Sequence, residues 1–118
     1  MRPKRLRLGT HVIPVSYHVH CIDTDDNETV IGFEDGDEKG NYGLAFSARG
    51  YRIAVSERAP DVPTVLLHEA FHEALRMRGG ARLVDDDIEE CLVQQLAEAT
   101  VELLRRNKGL AEFLVAGE

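Results

Sequence analysis

Asp61–Gly80, DVPTVLLHEAFHEALRMRGG, reads as a single amphipathic helix with its start, stop and chemistry all visible. Pro60, Asp61 and Pro63 are start signals, and Gly79-Gly80 is a stop. Val62, Val65, Leu66, Phe71 and Leu75 recur at helical spacing between them, which predicts a helix over 62–78. Near its middle stands His68-Glu69-Ala70-Phe71-His72, an H-E-x-x-H pentapeptide. Four residues advance a helix by a little more than one turn, so His68 and His72 share a face and can grip one Zn²⁺. At its offset Glu69 can reach a water beside the metal, the position of a general base in metal-assisted peptide hydrolysis.

Outward from this helix the chain divides by periodicity. Residues 12–57 are strand-like. Val15 to Ile22 alternates, with Val15, Tyr17, Val19 and Cys21 on one side and Ser16, His18 and His20 on the other. Glu28–Phe33, Tyr42–Ser47 and Tyr51–Ser56 are further runs separated by turn-rich links, and the last two are expected to form a hairpin. Residues 62–116 are helical. After the motif helix comes a longer one, about 87–107, whose expected buried stripe is Ile88, Leu92, Leu96, Ala99 and Leu103, widened by Val93 and Thr100. Asn107 and Gly109 end it, and a short helix over 110–116 is expected to close the core with Leu110, Phe113 and Leu114. Strands first and helices after make this an α+β chain: one domain over 1–118, with a small antiparallel or mixed sheet of three to four strands and the helices on one face.

Bulk properties narrow the function. A chain of 118 residues can bury a core without staples. Two cysteines, Cys21 and Cys91, with no C-x-x-C spacing, indicate neither a disulfide framework nor a thiolate zinc site. A formal charge of −7 opposes binding to a phosphate backbone, and the basic clusters at Lys4–Arg7 and Arg105-Arg106 with Lys108 read as solvated. The basic amino terminus is followed by no apolar run of signal length, and no segment approaches a membrane span. The expectation is a cytoplasmic protein without nucleic-acid or membrane partners.

Two imidazoles hold zinc poorly, so a catalytic site needs a third protein ligand. Asp85-Asp86-Asp87-Ile88-Glu89-Glu90 supplies the candidates. With Ile88 set to zero and about 100° per residue, the expected stripe centres near 70°, Glu89 falls at about 100° and Glu90 at about 200°. Glu89 is therefore the preferred ligand and Glu90 the alternative, with Asp87 as helix cap and Glu90 completing its box.

Taken together, Tyr51-Arg52-Ile53-Ala54-Val55, Pro63–His72 and Ile88-Glu89-Glu90 with its long striped helix resemble the small gluzincin-type zinc metallopeptidases. The likeness is to compact ImmA/IrrE-like proteins and short metallopeptidases of phages and prophages, over a little under half the chain. It implies a minimal zincin-like fold with Zn²⁺ as cofactor, His68, His72 and Glu89 as ligands and Glu69 as general base. It also implies a peptide or protein substrate received at a sheet edge. No helix-turn-helix accompanies the motif. Tyr42–Ser47 is the expected edge; Tyr42, Tyr51, His18 and His20 are candidates to assist, each more often structural in a strand. A catalytically silent, zinc-stabilised binding module is the competing expectation, and a metal-free adaptor the third.

Overall fold

The computed structural model describes residues 1–18, 43–46 and 52–117. The chain is α+β: strands β1 (Arg5–Leu8), β2 (His11–His18), β3 (Gly43–Phe46) and β4 (Arg52–Ser56), then helices α1 (Val62–Arg78), α2 (Asp86–Arg106) and α3 (Leu110–Ala116), with one 3-10 turn at Gly80–Arg82. No helix among the described residues is long and apolar enough to cross a membrane.

The sheet is mixed, in the order β1-β2-β4-β3. Its β3–β4 pairing is antiparallel, as expected, with Leu44 opposite Ala54. Between β2 and β4 the pairing is parallel, Val15 opposite Ile53 and Tyr17 opposite Val55. The run Glu28–Phe33, like Val19–Ile22 at the end of the first run, lies outside the described residues.

β1 is a finding of the structure: the basic side chains of Lys4, Arg5 and Arg7 are exposed, as expected of a solvated cluster, but the segment that carries them is a strand. Arg5-Leu6-Arg7-Leu8 alternates with the period of a strand; it pairs antiparallel with His11–Pro14, while Leu6 and Leu8 pack on the core. Gly9 turns the hairpin with φ of 58°, a backbone that L side chains adopt only under strain. The first long strand consequently begins at His11 rather than Val15.

The core lies between the sheet and α1. Ile13, Val15, Ile53, Val55 and Ala70 are buried together, with Val62, Val65, Leu66 and Met77 of α1 packed against them. Each large aliphatic side chain removed from water here contributes about 1.5–3 kcal/mol. α1 occupies the predicted span. Its amino end is capped by Asp61, which accepts from the Thr64 amide, and its carboxyl end by Gly79 in the left-handed region at φ 78°. β3 comes so close to α1 that a Cβ at Gly43 would stand 2.8 Å from both Val65 Cγ1 and Glu69 Cγ.

α2 packs against α1 with a different face from the one its leucines suggest. Ile88, Leu92, Leu96 and Leu103 are about half exposed, and the buried residues are Val93, Ala97 and Val101. These three are small or β-branched and spaced by four, which lets the two helices approach closely. The expected closing role of α3 is also corrected: Phe113 and Leu114 are exposed and Leu110 is only partly covered. The cap of α2 is Asp85, which accepts from the Ile88 amide, so the box expected from Asp87 and Glu90 is not formed and Glu90 is free for other work.

Candidate metal centre

His68 and His72 are both buried on the face of α1 that meets α2. Their rings meet edge to face, with centroids 4.8 Å apart. Nε2 of His72 lies 3.1 Å from Nε2 of His68. The Glu90 carboxylate from α2 meets both, Oε1 at 2.7 Å from His68 Nε2 and Oε2 at 2.9 Å from His72 Nε2. The three groups offer ligand atoms within 4.8 Å of one another, a cluster that could hold a metal ion.

What surrounds the two rings decides how their nitrogens are used. Nδ1 of His68 lies 2.6 Å from Oε1 of Gln94, and Nδ1 of His72 lies 2.5 Å from Oε2 of Glu89. Gln94 is oriented by its own amide, whose Nε2 donates to Glu98 Oε1 at 2.8 Å, so its oxygen faces the ring. Both Nδ1 partners accept only, so each Nδ1 donates. The Nε2 atoms of the two rings face each other and the Glu90 carboxylate. A proton on one Nε2 or a cation held among the three groups would each relieve that convergence of acceptors. On a tetrahedral zinc at about 2.0–2.1 Å, two ligand nitrogens stand about 3.3 Å apart, close to the separation present. The donor set is therefore one that could hold a metal ion.

The two glutamates divide the work differently from the expectation. Glu89, the preferred ligand, reaches His72 from the Nδ1 side, with its side chain only 11% exposed, while Glu90 reaches the Nε2 side at 60% exposure. The cause is the rotation of α2. With Val93, Ala97 and Val101 inward, the buried face centres near 180° on the scale used above, so Glu90 at about 200° points at α1 and Glu89 at about 100° stands to one side. Gln94 escaped the sequence reading, although its position one turn beyond Glu90 was the available signal. The exposed side of Glu90 leaves the cluster open to solvent there.

Glu69 is buried on α1, against Gly43 of β3. Burial is the largest influence on its carboxyl and pushes it up to about 7, with the His72 ring opposing and Glu90 adding to the rise. One helical turn further on, Glu73 is fully buried; Arg76 donates to its Oε1, and its Oε2 has no partner among the described residues. Burial raises its carboxyl too, against the pull of Arg76.

Of the assisting candidates, His18 stands on β2 with its Nε2 2.7 Å from Ser16 Oγ. His20, Tyr42 and Tyr51 lie outside the described residues. A cavity of about 310 Å³ opens at the other end of the α1–α2 pair, lined by Asp61, Thr64, Val101 and Arg105 among others, away from the histidines. There Arg105 donates two hydrogen bonds to Asp61, at 3.0 and 3.1 Å, clasping the helices at the end opposite the imidazoles. No family model, curated protein or solved structure matches this chain.

Proposed function

We propose that this chain is a zinc-dependent peptidase of the gluzincin type, with His68, His72 and Glu90 as ligands and Glu69 as general base. The observation that carries the reading is the convergence of both Nε2 atoms and the Glu90 carboxylate on one point, with each Nδ1 held by an acceptor. A divalent cation held there would polarise a scissile carbonyl and lower the pKa of water.

The chain's own residues supply the rest. Glu89 and Gln94 hold the imidazole tautomers and stiffen the rings in the orientation a ligand needs. Glu69, buried and raised to about 7, is poised to take a proton from water and return it to the departing amine near neutral pH. Its neighbour β3 has no second sheet partner among the described residues, and an extended peptide adding to that edge would lie beside Glu69. Peptide or protein substrates, Zn²⁺ as the metal and a cytoplasmic setting belong to this proposal.

A silent, zinc-stabilised binding module is the second reading, favoured by the cavity's lying away from the histidines. One set of variants separates the two. Glu69→Gln should keep stoichiometric zinc by elemental analysis and lose cleavage of a denatured-protein substrate, whereas a binding module loses nothing. Glu90→Gln should lose zinc, and Glu89→Gln should weaken zinc by about 10–100-fold without abolishing it. Full zinc retention by Glu90→Gln would overturn the ligand assignment.

A further inference from the structure

The outward face of α2 is used neither by the core nor by the metal cluster. Ile88, Leu92, Leu96 and Leu103 are 47%, 49%, 58% and 54% exposed, and exposed Ala99 lies in the same row. At about 100° per residue all five fall within an arc of about 80°. Together they present roughly 400 Å² of apolar surface, a size that on a single chain marks an interaction site. Flanking side chains such as Gln95, Glu102 and Arg106 extend it toward the roughly 800 Å² per partner of a stable interface.

Two features of the row identify its occupant. First, it is nearly palindromic about the midpoint between Gln95 and Leu96: reflection exchanges Ile88 with Leu103 and Leu92 with Ala99. A two-fold interface needs a patch that is complementary to its own reversed image. Leu92, Leu96, Ala99 and Leu103 also follow the four-three-four spacing of a helix-pair seam. Second, the helix is acidic at its start, with Asp85, Asp86 and Asp87, and basic at its end, with Arg105, Arg106 and Lys108. Arg105 is committed to Asp61, but the Arg106 side chain is 78% exposed and its ion pair among the described residues is with Glu102, at 3.5 Å. The same reflection sets Arg106 opposite Asp85. An antiparallel pair joins opposite charges and opposed helix dipoles; a parallel pair joins like with like.

We infer that the chain forms a two-fold symmetric homodimer through antiparallel packing of α2 on α2, with Leu96 near the axis and Arg106 facing Asp85 of the partner subunit. The inner face of the same helix holds Glu90 and Gln94, with Glu89 to one side, so dimerisation would brace the element that carries the acidic side of the cluster.

Sedimentation equilibrium of the full chain, from low micromolar to sub-millimolar concentration, tests this. The expected result is a reversible monomer–dimer equilibrium that weakens with added salt. Leu96→Glu, which sets two carboxylates against each other near the axis, should raise the dissociation constant by roughly a hundredfold or more with the helical circular dichroism unchanged. Orientation is read by thiol cross-linking with Cys21 and Cys91 replaced by serine. Leu96→Cys should link to itself through a short bis-maleimide. Ile88→Cys alone should not, since antiparallel packing separates the two copies by about 22 Å along the axis. A monomer at every concentration overturns the inference and leaves the face to a different partner. So does a dimer indifferent to Leu96→Glu, or Ile88→Cys linking to itself; the cross-linking arm stands even where Leu96→Glu fails to fold.

Discussion

The two faces of α2 differ in a way that hydrophobicity alone would misread. The outward face carries the larger apolar residues, Ile88, Leu92, Leu96 and Leu103, and is half exposed; the inward face carries Val93, Ala97 and Val101 together with Glu90, Gln94 and Arg105. The inward face wins contact with α1 because it offers specific partners at both ends. Glu90 and Gln94 meet the imidazoles at one end, Arg105 meets Asp61 at the other, and small side chains between them allow close approach. Polar complementarity fixes the rotation of a helix when either apolar stripe could have been buried.

Adjacent residues test that contrast most sharply. Val93→Asp would bury a carboxylate without a partner and should cost about 3–5 kcal/mol in chemical denaturation. Leu92→Asp, one residue away on the outward face, should change the stability of the dilute monomer by about 0.5 kcal/mol or less. Equal losses from the two would show that both faces are buried.

Metal addition bears on the inward face alone. Zinc at about a thousand times its dissociation constant should stabilise the chain by about 4 kcal/mol in thermal melts, and His72→Ala should abolish the gain. An undiminished gain in His72→Ala would locate the zinc elsewhere.

The buried carboxyl of Glu69 makes the metal-free protein sensitive to pH. Its folded pKa, about 7, lies above the ordinary 4.5, so the folded state binds the proton more tightly. Stability is then fullest below about pH 4.5 and declines as pH rises to about 7, by about 3 kcal/mol at most. Comparing metal-free wild type with Glu69→Gln across that window isolates the contribution: the variant should lack that component of the decline, and parallel curves would refute the assignment.

The smallest effect is expected at the far end of the helix pair. Asp61→Ala removes the α1 cap and the Arg105 clasp, and should cost about 1–2 kcal/mol. Arg105→Ala keeps the cap and, at a solvent-screened pair, should cost under about 1 kcal/mol. Equal losses from the two variants in urea melts would show that the Asp61 cap adds nothing beyond the clasp.

Legibility in the sequence followed the range of the interactions. α1 was readable over its full span because Asp61, the apolar spacing and Gly79 act within a few residues. α2 was placed to within a residue at either end for the same reason. β1 was obscured because Arg5 and Arg7 were weighed as charge when the alternation of Leu6 and Leu8 was the stronger signal. The parallel pairing of β2 with β4 joins segments nearly forty positions apart, and no local pattern specifies it. The same limit affected the choice between Glu89 and Glu90, since both sit on α2 and only its rotation separates them.

By itself the sequence determined that His68 and His72 share one face of one helix with Glu69 between them, because helical spacing depends only on backbone geometry. Tertiary structure decided which carboxylate meets the two Nε2 atoms, which side chains hold the Nδ1 atoms, and which stripe of α2 faces solvent. Those outcomes depend on how one helix turns about its axis against another, a quantity settled by contacts between distant residues.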